Sequence, residues 1–395
     1  MALTPKQLQS IPESIVKLYL GLESFVIEDI ARRIAKTGKI TETAKWQLER
    51  AKDIGMIDIE KKVKDTLSSS YEEIEKTFKE SAATSLAYDN KIYEEAVKKQ
   101  IKIKGNLALE KLLQAAIKQT KGELKNITRS LGFAERVAGK IVYNDIATFY
   151  QRAVDLALFQ VSTGTLDSNA AIRQAVKKLA DSGLRYIDYE NGWSNRIDVA
   201  VRRAVLTGTN QMSQKMTELT MEELNCEYVE TTAHAGARPD HQVWQGQVFC
   251  YKGKSDKYPD FIESTGYGTG KGLGGWNCRH SYFPFFPGIS ERAYSDDKLK
   301  NIDPEPFEYD GKTYSYYEAL QRQRSLENTI RNKKRELIGY NAAGLKEDFN
   351  NSSIVLNRLK DEYKAFSNVG DLRIRNELMQ VYGFDRSIAQ KSRRT

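Results

Sequence analysis

Cysteine, histidine and proline are scarce in this 395-residue chain, and each scarcity excludes something. Its three cysteines cannot all pair, so a disulfide framework is not expected. Proline is missing between Pro12 and Pro239, which leaves nothing there to interrupt long helices. No apolar run approaches the roughly 18–20 residues of a membrane-spanning helix, so no membrane partner is expected. Residues Met1 to Pro12 lack a basic stretch followed by an apolar one, so no secretory leader is expected either. The chain reads as made in a reducing cytoplasm, or built into something assembled there. Its charge excess is also modest: 61 Lys and Arg against 53 Asp and Glu leave a net +8, which permits a polyanionic partner without requiring one.

What is there is charge and helical periodicity. Charged residues make up 29% of the chain and hydrophobic ones 40%, the balance of long amphipathic helices with wide solvated faces. The length suits two or three domains. Ile15, Leu18, Leu22, Val26, Ile30 and Ile34 recur at helical steps, with Gly38 as a stop. Thr41 or Thr43 can cap a second helix through Trp46 and Leu48, ending at Gly55. A third begins near Asp58 with Val63, Leu67, Tyr71, Ile74 and Phe78 on one face, and a fourth holds Leu109, Leu112, Leu113 and Ile117. Residues 138–161 read as one longer helix, and residues 170–179 and 197–224 complete a helical first half.

The pattern changes at Cys226. Residues 228–232 and 247–251 are short β-prone runs, followed by sequence rich in Gly, Pro and aromatics up to Gly288. Asp310-Gly311 between Phe307-Glu308-Tyr309 and Lys312-Thr313-Tyr314 predicts a hairpin. Ser315 with Glu318 predicts a capping box opening a charged helix to about Leu337. That helix has a thin apolar stripe: Leu320, Leu326, Ile330 and Leu337. A last helix spans about 354–366, and the basic tail at 391–395 is expected to be loose. The expected fold is mainly α, with a small α+β module: a helical region at 1–225, a compact α+β domain at 226–300, and a hairpin with a charged helical arm at 301–395.

All three cysteines and all three histidines lie between Cys226 and His280. His234 and His241 flank a turn containing Gly236 and Pro239, and Cys278 and His280 are two apart. Zinc favours tetrahedral nitrogen and sulfur ligands, so His234, His241, Cys278 and His280 are the candidate set for a structural zinc. The same side chains also suit a hydrogen-bonded polar core, and the residues alone leave both readings open. Cys226 and Cys250 read as buried small hydrophobes, though either is able to replace one histidine. A thiol–imidazole nucleophile is disfavoured because residues two apart rarely present that geometry. A metal-dependent nuclease or hydrolase on the His/Cys cluster is the competing class, with Asp240 the one evident base. The run Gly266 to Gly275 lacks the Gly-Lys-Ser/Thr ending of a phosphate loop, and reads as a turn-rich excursion that lets backbone approach a neighbour. Lys252, Lys254, Lys257 and Lys271, interleaved with Tyr251, Tyr258 and Tyr267, are a candidate polyanion-facing surface.

The segments His-Ala-Gly-Ala-Arg-Pro-Asp-His-Gln-Val-Trp-Gln-Gly (234–246), Tyr-Pro-Asp-Phe (258–261), Thr-Gly-Tyr-Gly-Thr-Gly (265–270) and Gly-Gly-Trp-Asn-Cys-Arg-His (274–280) resemble the phage minor capsid protein family, within the Mu F-like head morphogenesis proteins. Ile-Glu-Asp-Ile-Ala-Arg-Arg-Ile-Ala-Lys (27–36) and Gln-Arg-Gln-Arg-Ser-Leu-Glu (321–327) are similar to the same family. The resemblance implies a virion structural protein and no enzyme. It implies a place inside the phage head near the portal, after synthesis in the bacterial cytoplasm. The implied partners are portal, major capsid and scaffold proteins, with nonspecific contact to packaged DNA and no small-molecule substrate. The broader group usually ends its motif Cys-Arg-Cys; here it is Cys278-Arg279-His280, which keeps a metal-capable side chain.

Overall fold

The apolar stripe that begins at Ile15 does what its spacing predicts. Ile15, Leu22, Val26, Ile30 and Ile34 are all fully buried on α2 (Glu13–Thr37), which follows a short proline-started α1 (Pro5–Ser10). The structure, a computed structural model, describes residues 3–37, 44–138, 140–163, 167–187 and 194–394. The expected stop at Gly38 and the caps at Thr41 and Thr43 lie outside the described residues. Beyond them α3 (Ala44–Val97) is a single helix, so Gly55 does not end one. A glycine inside a helix costs only about 1 kcal/mol relative to alanine, and α3 offsets that by packing on α2, α4 (Leu107–Arg129) and α7 (Ile197–Glu223).

The expected helix over 138–161 holds from Ile146 on, but Lys140–Asp145 is strand instead. β1 (Leu131–Val137) and β2 (Lys140–Asp145) form an antiparallel pair, and only then does α5 (Ile146–Ser162) begin. Ile141, Val142 and Tyr143 are β-branched and aromatic, and the reversal passes through Ala138 at φ +47°. After α6 (Ser168–Ser182), β3 (Arg185–Ile187) and β4 (Ser194–Arg196) complete an antiparallel sheet of order β2-β1-β3-β4 inside the otherwise helical first half. A Cβ at Gly132 would lie 2.1 Å from the Asn144 carbonyl oxygen, so that strand position accepts only glycine.

The second sheet contains both β-prone runs and adds a third strand that the sequence did not announce. β5 (Tyr228–Thr231) is central, flanked antiparallel by β6 (Val248–Cys250) and β7 (Tyr282–Phe285), with α8 (Pro239–Gln242) and α9 (Phe261–Thr265) between them. It has its own apolar cluster, including Val229, Trp244, Phe249, Phe261, Leu273 and Tyr282. After α10 (Asp296–Lys300), β8 (Phe307–Tyr309) and β9 (Lys312–Tyr314) make the expected hairpin, with Asp310 and Gly311 both at positive φ. Ser315 and Glu318 form the capping box of α11 (Tyr316–Ala343), which leads to α12 (Lys346–Val369). Within the tail expected to be loose, Lys391 to Arg393 belong to α13 (Arg386–Arg393), which follows a 3-10 turn at Asn376–Met379, and Asn357 donates to the Ser392 carbonyl at 3.3 Å; Thr395 lies outside the described residues.

The thin stripe of α11 is covered by α12, α2 and α6. Its charge is partly internal. Arg335 is fully buried and pairs at 2.7 Å with Glu23 of α2, also fully buried. The other Glu23 oxygen accepts from the Leu184 backbone N–H at 2.9 Å. A second polar seam joins α3 to α7. Ser85 meets Ser213 at 2.6 Å, Thr217 donates to Asp89 at 2.7 Å, and Tyr93 meets Thr220 at 2.7 Å. These steps of three and four run in the same direction along both helices, so α3 and α7 lie parallel. The adjoining face of α7 supports the second sheet, where Asn210 donates to the His280 carbonyl at 3.0 Å.

Candidate metal centre

Two chain segments meet above α7. In the first, Pro239 at the start of α8 presets the backbone for a helical turn, which carries His241 inward. The second segment is the passage from the glycine run into β7, which brings Cys278 and His280. Asn277 at φ +56° turns that chain, and the Cys278 backbone N–H donates to the Gly275 carbonyl at 3.2 Å.

His241, Cys278 and His280 converge, with one ligand-capable atom from each lying within 4.8 Å of the others. The His241 and His280 Nδ1 atoms face one another at 3.3 Å. Cys278 Sγ lies 3.8 Å from the first and 3.7 Å from the second. All three side chains are buried. His234, the fourth expected ligand, stands apart from this trio. Its ring stacks on that of His280, centroids 4.4 Å apart, and its Nδ1 faces the Ala235 carbonyl at 2.8 Å. Cys226, between α7 and β5, and Cys250, in β6, are buried as expected; their thiols donate to the Tyr228 and Lys252 carbonyls, both at 3.4 Å.

The proton on His280 follows from its neighbours. Gln245 Oε1 accepts from the His234 backbone N–H at 3.1 Å, which fixes the amide with its oxygen inward. The same oxygen lies 3.1 Å from His280 Nε2, so Nε2 must be the donor and Nδ1 carries the lone pair. A ligand histidine that holds a proton on its outer nitrogen and gives it to an amide oxygen is the usual outer-shell arrangement of metal sites. His241 has two arrangements open to it. With Nε2 donating to the Lys271 carbonyl at 2.9 Å, its Nδ1 also offers a lone pair to the cluster. With Nε2 accepting from Arg238 instead, Nδ1 carries the proton and donates to His280. The first suits a bound cation, the second a metal-free core.

Burial holds all three groups uncharged in the absence of a metal. It lowers the His280 pKa well below the ordinary histidine value, helped by His234, His241 and Arg279. It lowers His241 too, with Arg238 adding to the effect, and it takes His234 down to about 4 with Arg279 beside it. Burial also raises the Cys278 thiol, against backbone hydrogen bonds and the nearby arginines. Neutral imidazole is the form that ligates, whereas the thiol must lose its proton on binding.

Residues without a role in the sequence reading hold the cluster in place. Trp244 packs edge-on against His280 at 4.8 Å and tilted against His241 at 4.6 Å. Gln245 orients His280, and the Lys271 carbonyl faces His241. The signal for Trp244 and Gln245 was their spacing three and four residues after His241, one helical turn on. The glycine run behaves as a close-approach loop. A Cβ at Gly272 would fall 1.9 Å from the Gly266 carbonyl oxygen, and at Gly274 it would meet the Gln214 amide at 2.4 Å. Lys252, Lys254, Lys257 and Lys271 are exposed. Their neighbouring tyrosines turn inward instead: Tyr251 packs on Phe261, Tyr258 on Tyr228, and Tyr267 donates to Glu218 at 2.5 Å. Asp240 is exposed and lies 3.5 Å from Arg238.

No helix among the described residues is long and apolar enough to cross a membrane. No curated protein sequence and no solved structure matches the chain. A family model described as phage minor capsid protein 2 matches residues 3–368, which include all three sheets named above and the whole His/Cys cluster. The chain therefore belongs to the phage minor capsid protein 2 family.

Proposed function

We propose that this protein is a structural component of the phage head, not an enzyme, and acts inside the head near the portal during assembly. The observation that carries this reading is the family match over residues 3–368. In this reading the exposed helical faces contact portal, major capsid or scaffold proteins. The exposed lysines of residues 252–271 make nonspecific phosphate contacts with packaged DNA, which aid packaging or ejection.

The cluster of His241, Cys278 and His280 binds zinc as a folding staple. It ties α8 to the loop before β7 and so fixes the glycine run between them. The three converging side chains leave a fourth tetrahedral position unfilled by them, and it is their burial that supports a structural role over a hydrolytic one. Deleting the gene from the phage that encodes it tests the assembly role. Heads short of DNA or poorly infectious particles are expected. Normal yields of infectious particles would overturn the proposal.

A further inference from the structure

A second cavity, far in sequence from the His/Cys cluster, is walled by cations. It has a volume of about 380 Å³ and lies among α11, α12, the 3-10 turn and α13. That volume falls within the range of small-molecule pockets. Lys334 comes from α11, Lys360 and Lys364 from α12, and Arg393 from the last turn of α13. No carboxylate lines it, and none of the four cations forms an ion pair among the described residues.

The floor is apolar and holds the cations in place. The Lys334 and Lys360 ammoniums sit over the Phe384 ring, 5.4 and 5.8 Å from its centroid. Lys334 donates to the Met379 carbonyl at 2.6 Å and has no second hydrogen-bond acceptor among the described residues, which leaves N–H bonds to spare. Like charges gathered without counterions repel one another. Burial, then Lys360, lowers the Lys334 pKa to about 8. Burial, then Arg393 and Lys364, lowers Lys360 as well, with Asp361 a weaker opposing influence.

A folded protein that gathers four cations around one concavity is complementary to a compact polyanion. A single carboxylate offers one charge, whereas adjacent phosphates offer several within the span of the cavity. We propose that this cavity binds a ligand carrying clustered phosphates, such as a nucleoside triphosphate or inorganic polyphosphate. Lys334 and Lys360 contact the phosphates from the floor, and Lys364 and Arg393 close over them from the rim. The stretched, singly charged phosphodiesters of a DNA strand fit it poorly.

Calorimetric titration of the full chain with inorganic tripolyphosphate, ATP, orthophosphate and a short single-stranded oligonucleotide tests this. Tripolyphosphate or ATP is expected to bind at low salt, at least about tenfold more tightly than orthophosphate, and to weaken steeply as salt rises. Tighter binding of ATP than of tripolyphosphate assigns a nucleotide, with its base on the apolar floor. Equal affinities assign an inorganic polyphosphate. The double variant Lys360→Gln/Lys364→Gln is expected to lose about tenfold or more in affinity. The rim variant Lys364→Ala/Arg393→Ala, both positions exposed, gives the same test without touching the floor. Lys111→Gln/Lys118→Gln, two exposed lysines of α4 away from both basic surfaces, leaves binding unchanged. No binding of tripolyphosphate or ATP, equal weakening by the Lys111/Lys118 control, or binding of the oligonucleotide alone would overturn the proposal.

Discussion

Replacing Asp89 with asparagine is expected to stabilise the protein at alkaline pH and to change it much less in mild acid. Asp89 lies on the α3–α7 seam with 1% of its surface exposed. One carboxyl oxygen accepts from Thr217 at 2.7 Å, and the other has no hydrogen-bond partner among the described residues. Burial pushes its pKa up to about 7, against the opposing Thr217 hydrogen bond. In the unfolded chain the same group titrates near about 3.9. As pH rises between those values, the unfolded state gives up the proton while the folded state keeps it. The unfolded state then binds fewer protons, so stability falls with rising pH across that window. The full difference, about three pH units at 1.36 kcal/mol each, is about 4 kcal/mol. About 3 kcal/mol of it is lost between roughly pH 5 and pH 8. Urea unfolding of the wild type and Asp89→Asn across that range reads the effect directly. The gap between the two should widen with pH in favour of the variant. A gap that stays constant, or closes, would show that Asp89 is ionised and compensated in the fold, and the reasoning from its unpartnered oxygen would be wrong.

Elemental mass spectrometry on protein purified without chelator or nickel tests the metal centre. About one zinc per chain is expected, lost in Cys278→Ser and His280→Ala and kept in His234→Ala, because His234 stacks on the cluster instead of facing into it. Loss of metal in His234→Ala alone would restore it as a ligand and remove His241, Cys278 and His280 as the defining set. Glu23→Ala leaves Arg335 buried without its partner, a change worth about 3–5 kcal/mol of destabilisation in urea unfolding. A loss below about 1 kcal/mol would mean that Arg335 reaches water in the folded protein.

The helices were legible where burial follows a repeat. α2 announces itself through Ile15, Leu22, Val26 and Ile30, and α11 through the Ser315–Glu318 capping box. β8 and β9 were legible from Asp310-Gly311, because two successive positive-φ residues suit few other turns. The β1–β2 hairpin was not. Ile141, Val142, Ile146 and Phe149 satisfy one helical spacing, and what makes the first two strand is pairing with β1, whose Leu131 and Gly132 are held in turn by Tyr186 and Arg185 of β3. Gly55 and the basic tail failed for a related reason: local propensity is weak beside packing on a neighbouring helix.

At the candidate site, the order of residues is enough to say which chemistry is available. It confines every thiol and imidazole to residues 226–280 and surrounds them with glycines and turn residues that let backbones approach closely. It does not say which of those groups meet. Folding brings His241 against Cys278 and His280 and leaves His234 stacked outside, because that choice depends on side-chain direction at the end of α8 and on the Gln245 amide. The same holds for the charge of α11. Sequence shows its abundance, but packing divides it between a buried pair at Arg335 and a cavity wall at Lys334. Composition and periodicity are properties of the chain, whereas a site depends on the relative placement of elements far apart along it.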